Sequence, residues 1–518
     1  MKKLCICIIL LLMFPFSCIA ATPVLKYSNA GTYPLWTEEA YYCAPTVVDL
    51  NGDGKNEIVF SNYSITVLDG ASGAVLWKVN SGRDRSAPLE EFGASAGHTW
   101  SSLEVADIDG DGGLEIVSLH GNGLISVLDA NGYFEPGWPQ TPLAAAGRSL
   151  EVADIDGDGK SEIIVGYGVD SPQSVYVLSY DGQIRSGWPQ MDNTQYPAKG
   201  WSYGVFMDGI ETADLDSDGQ LEIIVPTDNS FVSIYKPNGT LMQANSSVYG
   251  DRTWAQVAFY EDPSAEIRGD NEGWGWSITG NELREDLYRA EFGHGAVAVA
   301  DVDGDGKKEL AVTGIMCNRK YAPSYPPTEY MTVFLLNADR TRYANWSLPP
   351  TDLGAPLLQS NVSIASMVQQ TPVIEDLDGD GKPEILFNSY NGKVHCFNLD
   401  KKEPYAWPYS LTKRTSPMLQ YATAPVCRDL DGDGKKEVIF ATFYDSEQGL
   451  TPNNVGSLCI LNYEGKLISS APLPPAKEAG NYPNGAMAAP AVADVDGDGL
   501  LEIVVNTLHG AICVYDLV

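Results

Sequence analysis

The 518-residue sequence predicts an all-β fold, an eight-bladed β-propeller of four-stranded blades. An acidic nine-residue motif occurs eight times at a mean spacing of roughly 64 residues, the scale of propeller blades rather than of helical repeats. Each copy is followed by a short apolar run, such as Ile163-Ile164-Val165, that is typical of a buried strand. Asp-Gly and Asn-Gly pairs between the copies favour hairpin turns.

Each repeat is expected to supply the strands of one blade in the same order. The first strand precedes the acidic motif, as at Ala44-Pro45-Thr46-Val47-Val48, and the second follows it. A third strand and a glycine turn come next, as in Ile65-Thr66-Val67-Leu68-Asp69-Gly70, and lead into a fourth strand. The eighth repeat ends with its third strand, Val514-Tyr515-Asp516-Leu517-Val518. We therefore expect Pro23-Val24-Leu25-Lys26-Tyr27-Ser28 to complete the last blade and close the ring.

Residues 1–20 are predicted to be a secretory signal peptide that leaves a propeller of residues 21–518. Met1-Lys2-Lys3 supplies positive charge, an apolar stretch follows, and small residues surround a cleavage expected after Ala20. A lipoprotein signal acylated at Cys18 is the alternative. The sequence shows no other long apolar stretch, so we expect no transmembrane segment and a secreted, periplasmic or cell-surface protein.

The acidic motif has the composition of a calcium-binding loop. Positions 1, 3 and 5 carry carboxylates or one amide, and a Glu occupies position 9 in all eight copies. Such a loop brings hard oxygen ligands to one point, which suits Ca²⁺. An EF-hand would need a Glu at position 12, where this chain has Phe, Ser or Val, so that interpretation fails. Acidic turns without a metal are the alternative, but four carboxylates so close would repel one another without a cation.

We predict that the side chains at positions 1, 3, 5 and 9 and the backbone carbonyl at position 7 bind up to eight structural Ca²⁺ ions. The predicted ligands are Asp49, Asn51, Asp53, Lys55, Glu57, Asp107, Asp109, Asp111, Gly113, Glu115, Asp154, Asp156, Asp158, Lys160, Glu162, Asp214, Asp216, Asp218, Gln220, Glu222, Asp301, Asp303, Asp305, Lys307, Glu309, Asp376, Asp378, Asp380, Lys382, Glu384, Asp429, Asp431, Asp433, Lys435, Glu437, Asp494, Asp496, Asp498, Leu500 and Glu502. The motifs hold 31 of the 68 acidic residues, so the net charge of −35 mostly reflects metal binding. It does not indicate a cationic partner, and no nucleic-acid partner is expected.

The cysteines leave two interpretations open. Six remain after the signal peptide, namely Cys43, Cys317, Cys396, Cys427, Cys459 and Cys513. The sequence cannot choose among the disulfide pairings that six cysteines allow. Several lie in apolar runs such as Ser457-Leu458-Cys459-Ile460-Leu461, so buried thiols are at least as well supported as disulfides.

The chain resembles the FG-GAP/VCBS family of secreted repeat proteins, which includes the N-terminal propeller of integrin α chains. The resemblance covers residues 21–518 and is carried by the acidic loops, Phe92-Gly93-Ala94-Ser95 and the segment 292–300. It implies a calcium-binding extracellular propeller that acts in recognition or adhesion. The Gly-Ala-Pro that gives the family its name is absent, and eight loops exceed the usual number in integrins. An integrin-like partner therefore does not carry over.

The irregular loops predict where a ligand would bind. In a propeller, loops alternate between two ends, so long insertions should lie on the face opposite the calcium loops. They contain aromatic and basic side chains suited to an acidic glycan or a peptide carboxylate. The candidate ligand-face residues are Arg83, Arg85, His98, Trp100, Lys199, Trp201, Trp254, Trp274, Trp276 and His294. The alternative is that these loops pack on themselves and bury their tryptophans.

Three functions compete. A secreted recognition or adhesion module that binds a glycan or protein is favoured, because the sequence shows no nucleophile elbow, HExxH, P-loop or GxGxxG motif. A calcium-dependent polysaccharide lyase of the rhamnogalacturonan-lyase type is the main alternative, because such lyases resemble this chain in their acidic calcium loops. A quinoprotein dehydrogenase is indicated only by a single segment, 68–77. Gly-Trp-Pro-Gln, at 137–140 and 187–190, is interpreted as packing between blades rather than as a carbohydrate platform.

Overall fold

The computed structural model confirms the predicted fold class. It describes residues 22–30, 43–89, 97–99, 103–141, 143–144, 147–168, 173–192, 205, 209–227, 230–266, 288–292, 296–317, 330–351, 353–354, 371–411, 418–446, 455–474, 485–508 and 511–518. These residues form eight small antiparallel sheets, one for each repeat, which are the blades of a propeller. In this part of the chain, no helix is long and apolar enough to cross a membrane.

The blades follow one another in chain order, and each acidic motif joins the first strand of its blade to the second. The strands of the first four blades are Thr46–Val48, Glu57–Ser61, Ser64–Asp69 and Val75–Asn80 (blade 1); Glu104–Ala106, Glu115–Leu119 and Ile125–Leu128 (blade 2); Gly147–Ala153, Glu162–Tyr167, Gln173–Leu178 and Gln190–Asp192 (blade 3); and Glu211–Ala213, Glu222–Pro226 and Val232–Tyr235 (blade 4). Those of the last four are Arg289–Glu291, Val297–Ala300, Glu309–Cys317 and Tyr330–Asn337 (blade 5); Val373–Glu375, Glu384–Ser389, Lys393–Phe397 and Tyr409–Ser410 (blade 6); Met418–Ala422, Val426–Arg428, Glu437–Ser446, Ser457–Leu461 and Leu467–Pro472 (blade 7); and Ala491–Ala493, Glu502–Asn506, Ala511–Leu517 and Pro23–Ala30 (blade 8).

Some blades are less regular than the sequence predicts. Blades 2, 4 and 5 have isolated bridges in place of a described fourth strand, as between Ile125 and Gln140 and between Tyr235 and Leu241. In blades 5 and 7 the first strand is divided into two pieces that both pair with the second strand. The inner strands therefore follow the repeat more closely than the outer edge does.

The N-terminal strand lies in the last sheet. Pro23–Ala30 pairs antiparallel with Ala511–Leu517, and Tyr27 stands opposite Val514. The hydroxyl of Tyr27 donates a hydrogen bond to the carbonyl of Gly70 in blade 1. That this strand is needed to close the ring stays a prediction.

The hydrophobic core is divided into clusters that lie between neighbouring blades. Ile163 and Leu178 of blade 3, for example, pack against Val117 and Val127 of blade 2. The cluster that contains Phe60 of blade 1 also contains side chains of blade 8, so packing joins the last blade to the first. Because both faces of each sheet are covered, the second and third strands are buried along their length, which explains their continuous apolar runs.

Short helices and buried thiols complete the described structure. The α-helix Ser246–Tyr249 and the 3₁₀ turns Trp254–Gln256 and Pro263–Ala265 follow blade 4, and the 3₁₀ turn Ala344–Trp346 follows the third strand of blade 5. The five cysteines whose side chains are described are buried thiols, as the second of the two interpretations expects: Cys43, Cys396, Cys427, Cys459 and Cys513.

Candidate metal centres

The first aspartate of each motif folds the acidic loop. In blade 2, Oδ1 of Asp107 accepts the backbone N–H groups of Gly110 and Asp111 at 2.7 and 3.2 Å, and Oδ2 accepts that of Gly112 at 2.9 Å. Gly110 and Gly112 have φ of 77° and 91°, in the left-handed region that glycine tolerates. Blades 6 and 8 repeat this pattern around Asp376 and Asp494.

The glutamate at position 9 is buried and held from one side. In blade 2, Oε2 of Glu115 accepts the backbone N–H of Ile108, at position 2, at 2.9 Å. The same bond occurs in all eight blades, at 2.8 to 3.2 Å. Because one carboxylate oxygen is held by the backbone, the side chain keeps a fixed orientation beside the aspartates of its loop. We call each set of carboxylates at positions 1, 3, 5 and 9 a cage.

The cages concentrate negative charge on partly buried groups. Burial raises the pKa of Glu115 from 4.5 to about 7, and the neighbouring Asp109, Glu135 and Asp107 add to the effect. Burial and the loop aspartates likewise raise the pKa of Glu384 to about 7. A carboxylate with this pKa is destabilised in its charged form, and a cation among the oxygens would remove that cost.

The donor set of the cages fits a hard cation. One carboxylate oxygen each from Asp107, Asp109 and Glu115 lies within 4.8 Å of the others, and corresponding trios occur in blades 3, 5 and 6. In blade 4 the trio is formed by Asp214, Asp216 and Asp218. Oxygen ligands without thiolate or imidazole suit Ca²⁺ rather than Zn²⁺. The position-7 carbonyls stay a prediction; the backbone N–H of position 7 donates to the position-5 aspartate, as from Gly113 to Asp111 at 2.7 Å.

The cage of blade 1 differs from the others because position 3 is Asn51 instead of an aspartate. Nδ2 of Asn51 donates to Oε1 of Glu57 at 3.3 Å, so the asparagine supplies a neutral partner where other loops have a third aspartate. This loop therefore carries less negative charge than its neighbours.

Among the described residues, three cages have a cation from the chain beside their position-9 glutamate, whereas Lys307 in blade 5 pairs only with the exposed Asp305. Arg185 forms ion pairs with Asp156 and Glu162 in blade 3. Nζ of Lys236 lies 2.7 Å from Asp216 in blade 4, and Nζ of Lys26 lies 2.6 Å from Asp496 in blade 8. Sequence reasoning missed these pairs because the partners are separated by 20 residues or more, and in one case by 470.

The spacing of the loops, their carboxylates and the strands that they join are typical of a known repeat. The family model described as FG-GAP-like repeat matches residues 49–118, 154–225, 376–440 and 429–505, which together cover more than half of the chain. The chain belongs to the FG-GAP-like repeat family. No curated protein matches this sequence.

The FG-GAP propeller is also similar to solved structures, at low sequence identity. The Vibrio cholerae biofilm matrix protein Bap1 is 16% identical, with 96% of this chain and 91% of that chain covered and a TM-score of 0.48. A quinohemoprotein alcohol dehydrogenase from Comamonas testosteroni is 12% identical, with coverage of 96% and 76% and a TM-score of 0.48. The exotype rhamnogalacturonan lyase YesX is 15% identical, with coverage of 91% and 81% and a TM-score of 0.39. Similarities at this level indicate neither a ligand nor a reaction for this chain.

The structure corrects two of the residues predicted for the ligand face. Trp254 is fully buried and packs with Phe259 and Phe292 in the core between blades 4 and 5. Arg85 donates to the carbonyl of Asn131 at 2.9 Å, in the turn after the third strand of blade 2. Because this turn and the acidic loop emerge from the same end of the sheet, Arg85 lies on the side of the cages.

The remaining candidates are placed differently. Arg83 is exposed in the segment after blade 1, whereas His98 is partly buried and packs edge-on against Tyr63, with ring centroids 5.2 Å apart. Burial and the charge of Arg148 lower the pKa of His98 to about 4, so its ring is neutral at neutral pH. Six predicted residues lie outside the described part of the chain: Trp100, Lys199, Trp201, Trp274, Trp276 and His294.

Proposed function

We propose that the protein is a secreted calcium-binding propeller that serves as an extracellular recognition or adhesion module. The observation that carries this proposal is the set of position-9 glutamates, each buried, held by one backbone N–H and surrounded by the aspartates of its loop. Ca²⁺ would supply the positive charge that balances these carboxylates. In a calcium-rich extracellular fluid, sites of modest affinity would be filled, whereas a calcium-poor cytosol would leave them without the ion.

Contacts between neighbouring loops support a structural role for the ion. The backbone N–H of Ser161 donates to the carbonyl of Ile108 at 3.0 Å and so connects the loops of blades 3 and 2. Nδ2 of Asn56 donates to the carbonyl of Asp494 at 2.7 Å and connects blade 1 to blade 8. An ion that fixes one loop would therefore also fix its contact with the next blade.

Calcium-dependent stability tests this part of the proposal. At about 1 mM Ca²⁺ and a Kd of about 0.1 mM, each filled site would add roughly 1.4 kcal/mol to the free energy of unfolding. We expect the thermal midpoint of the mature protein to fall in millimolar EGTA and to recover when excess Ca²⁺, but not Mg²⁺, is added. Equal midpoints in EGTA and Ca²⁺ would show that the loops are acidic turns without a structural ion.

Recognition is assigned to the propeller face opposite the cages. The sequence predicts that Arg83, which is exposed in the segment after blade 1, lies on that face, where it could contact an acidic glycan or a peptide carboxylate. The low pKa of His98 argues against a lyase that uses this residue as its base, because a general base works best with a pKa near the operating pH.

Two binding experiments test the recognition role. A glycan array probed with the calcium-loaded protein should give signals that weaken in Arg83→Gln and persist in the matched exposed variant Lys402→Gln. In parallel, incubation with pectic polysaccharides should give no ultraviolet absorbance of unsaturated uronates. A calcium-dependent increase of that absorbance would instead support the polysaccharide lyase and contradict the recognition module.

A further inference from the structure

The same backbone position carries opposite charges in blades 2 and 3. Glu135 and Arg185 each stand three residues before the Trp of a Gly-Trp-Pro-Gln sequence. Their backbone N–H groups donate to the third strand, Glu135 to Val127 at 3.0 Å and Arg185 to Val177 at 2.9 Å. The two residues are therefore structurally equivalent, and the chemical difference lies in the side chain.

In blade 3 this position fills the cage with positive charge. The guanidinium of Arg185 donates through Nη1 to Oε1 of Glu162, the oxygen that the backbone leaves free, and through Nη2 to Oδ2 of Asp156. Both carboxylates belong to the trio of oxygens that would hold an ion in this blade. Ca²⁺ could reach them only by displacing the guanidinium.

Blades 4 and 8 reach the same result with lysines from different elements. Lys236, which directly follows Val232–Tyr235, places Nζ 2.7, 3.2 and 3.6 Å from Asp216, Asp218 and Glu222. Lys26, from the N-terminal strand, places Nζ 2.6 and 3.6 Å from Asp496 and Glu502. In each case the ammonium contacts the buried position-9 glutamate and at least one aspartate of the cage.

In blade 2 the corresponding side chain adds negative charge. Glu135 holds the backbone position that Arg185 holds in blade 3, and burial, then Asp129 and the cage residues Asp109 and Asp111, raise the pKa of its carboxyl group. Glu135 is thus a carboxylate in addition to those of the motif. The affinity of a calcium site rises with the number of charged oxygen ligands.

We propose that the eight cages form two classes. The cages of blades 3, 4 and 8 are closed by Arg185, Lys236 and Lys26 and take no Ca²⁺ at millimolar concentration. The cages of the other five blades are open to Ca²⁺, and Glu135 makes that of blade 2 the tightest site. This inference rests on the proposed calcium function. It reduces the number of bound ions to at most five of the eight that the sequence predicts. It also means that, in a closed cage, the arginine or lysine still balances the charge of the carboxylates when calcium is removed.

Counting bound ions tests the inference. Metal-free wild-type protein and its Arg185→Gln and Lys236→Gln variants would be dialysed to equilibrium against radioactive calcium at millimolar concentration. We expect five or fewer ions in the wild type and one more ion in each variant. Lys466→Gln is the matched control, because Lys466 lies in an outer turn and pairs with Glu464 instead of a cage. Its ion count should equal that of the wild type.

A titration of Glu135→Gln tests the second class and does not depend on the folding of the arginine variant. Removal of this charge should weaken the tightest calcium step about five- to tenfold and leave the number of ions unchanged. More than five ions in the wild type, unchanged counts in Arg185→Gln and Lys236→Gln, or an unchanged tightest step in Glu135→Gln would each overturn the division into classes while calcium binding stands. Binding of no calcium by any variant would instead overturn the proposed calcium function.

Discussion

Trp138 donates a hydrogen bond from its indole Nε1 to the carbonyl oxygen of Tyr180 at 3.0 Å and so ties blade 2 to an outer turn of blade 3. Four other tryptophans make the same bond to the next blade along the chain: Trp77 to Ala130, Trp188 to Pro237, Trp346 to Leu399 and Trp407 to Tyr463. These indoles are buried, so the Gly-Trp-Pro-Gln sequences serve packing between blades, as predicted, and do not form a carbohydrate platform.

Trp138→Phe should therefore destabilise the protein without changing its fold. Phenylalanine keeps most of the apolar contact but loses the hydrogen bond, which costs about 1 to 2 kcal/mol. Trp138→Ala also leaves a cavity and should cost about 3 to 5 kcal/mol. Urea unfolding in saturating calcium measures both, with the exposed Val248→Ala as the control. Equal stability of the Phe variant and the wild type would show that the hydrogen bond does not contribute to the free energy of unfolding.

Deletion of residues 21–30 should open the ring. The deletion leaves one side of Ala511–Leu517 without a partner strand and exposes a sheet edge that can pair with another molecule. We expect soluble oligomers or aggregates in size-exclusion chromatography with light scattering. The substitution Lys26→Gln, which keeps the strand, should remain monomeric. A monomeric deletion variant with unchanged thermal stability would show that packing between blades 1 and 8 closes the ring alone.

The repeat allowed the cages, the inner strands and the role of Trp138 to be predicted, because each recurs at a fixed place in the chain. The cations in the cages were missed because Lys26 meets Asp496 only through the fold. For a related reason, the sequence left open whether Trp254 is exposed on the ligand face or buried. A tryptophan in a long insertion has the same sequence signature whether it contacts solvent or fills a core, and only packing decides between them.

Glu266→Gln should be strongly destabilising. Glu266 is buried and pairs with both Arg340 and Arg342, and this contact holds the segment after blade 4 against the outer turn of blade 5. Glutamine would leave two buried guanidinium groups without their counter-charge, at a cost of about 3 to 5 kcal/mol. Urea unfolding would measure the loss. Glu464→Gln, which breaks a solvent-screened ion pair, should leave stability almost unchanged.

Glu115→Gln should have opposite effects in the two calcium states. The amide oxygen can still accept the N–H of Ile108, but the negative charge that burial and the loop aspartates disfavour is gone. We therefore expect the thermal midpoint in EGTA to rise, while the midpoint in calcium falls because one ligand charge is lost. Asp400→Asn removes a charge from an exposed side chain outside the cages and should shift neither midpoint. A lower midpoint of Glu115→Gln in EGTA would contradict the proposed charge repulsion.

The benefit of calcium should grow with pH. The pKa of Glu115, Glu384 and Glu437 is about 7 in the folded protein against an ordinary 4.5, mainly through burial. Between these two values the folded state holds protons that the unfolded state has released, so in EGTA the free energy of unfolding falls as pH rises through this window. Calcium should offset that fall, because it replaces the protons in the cages that bind it.

The measurement is the difference between the thermal midpoints in calcium and in EGTA, at about pH 5 and about pH 7.5. His120 has the opposite dependence on pH, since burial lowers its pKa to about 3 and stability is lost as pH falls below the unfolded value of about 6.5. Its contribution is the same with and without calcium and cancels in the difference. A calcium-dependent difference that is constant or shrinks between the two pH values would show that protons and calcium do not compete for the cages.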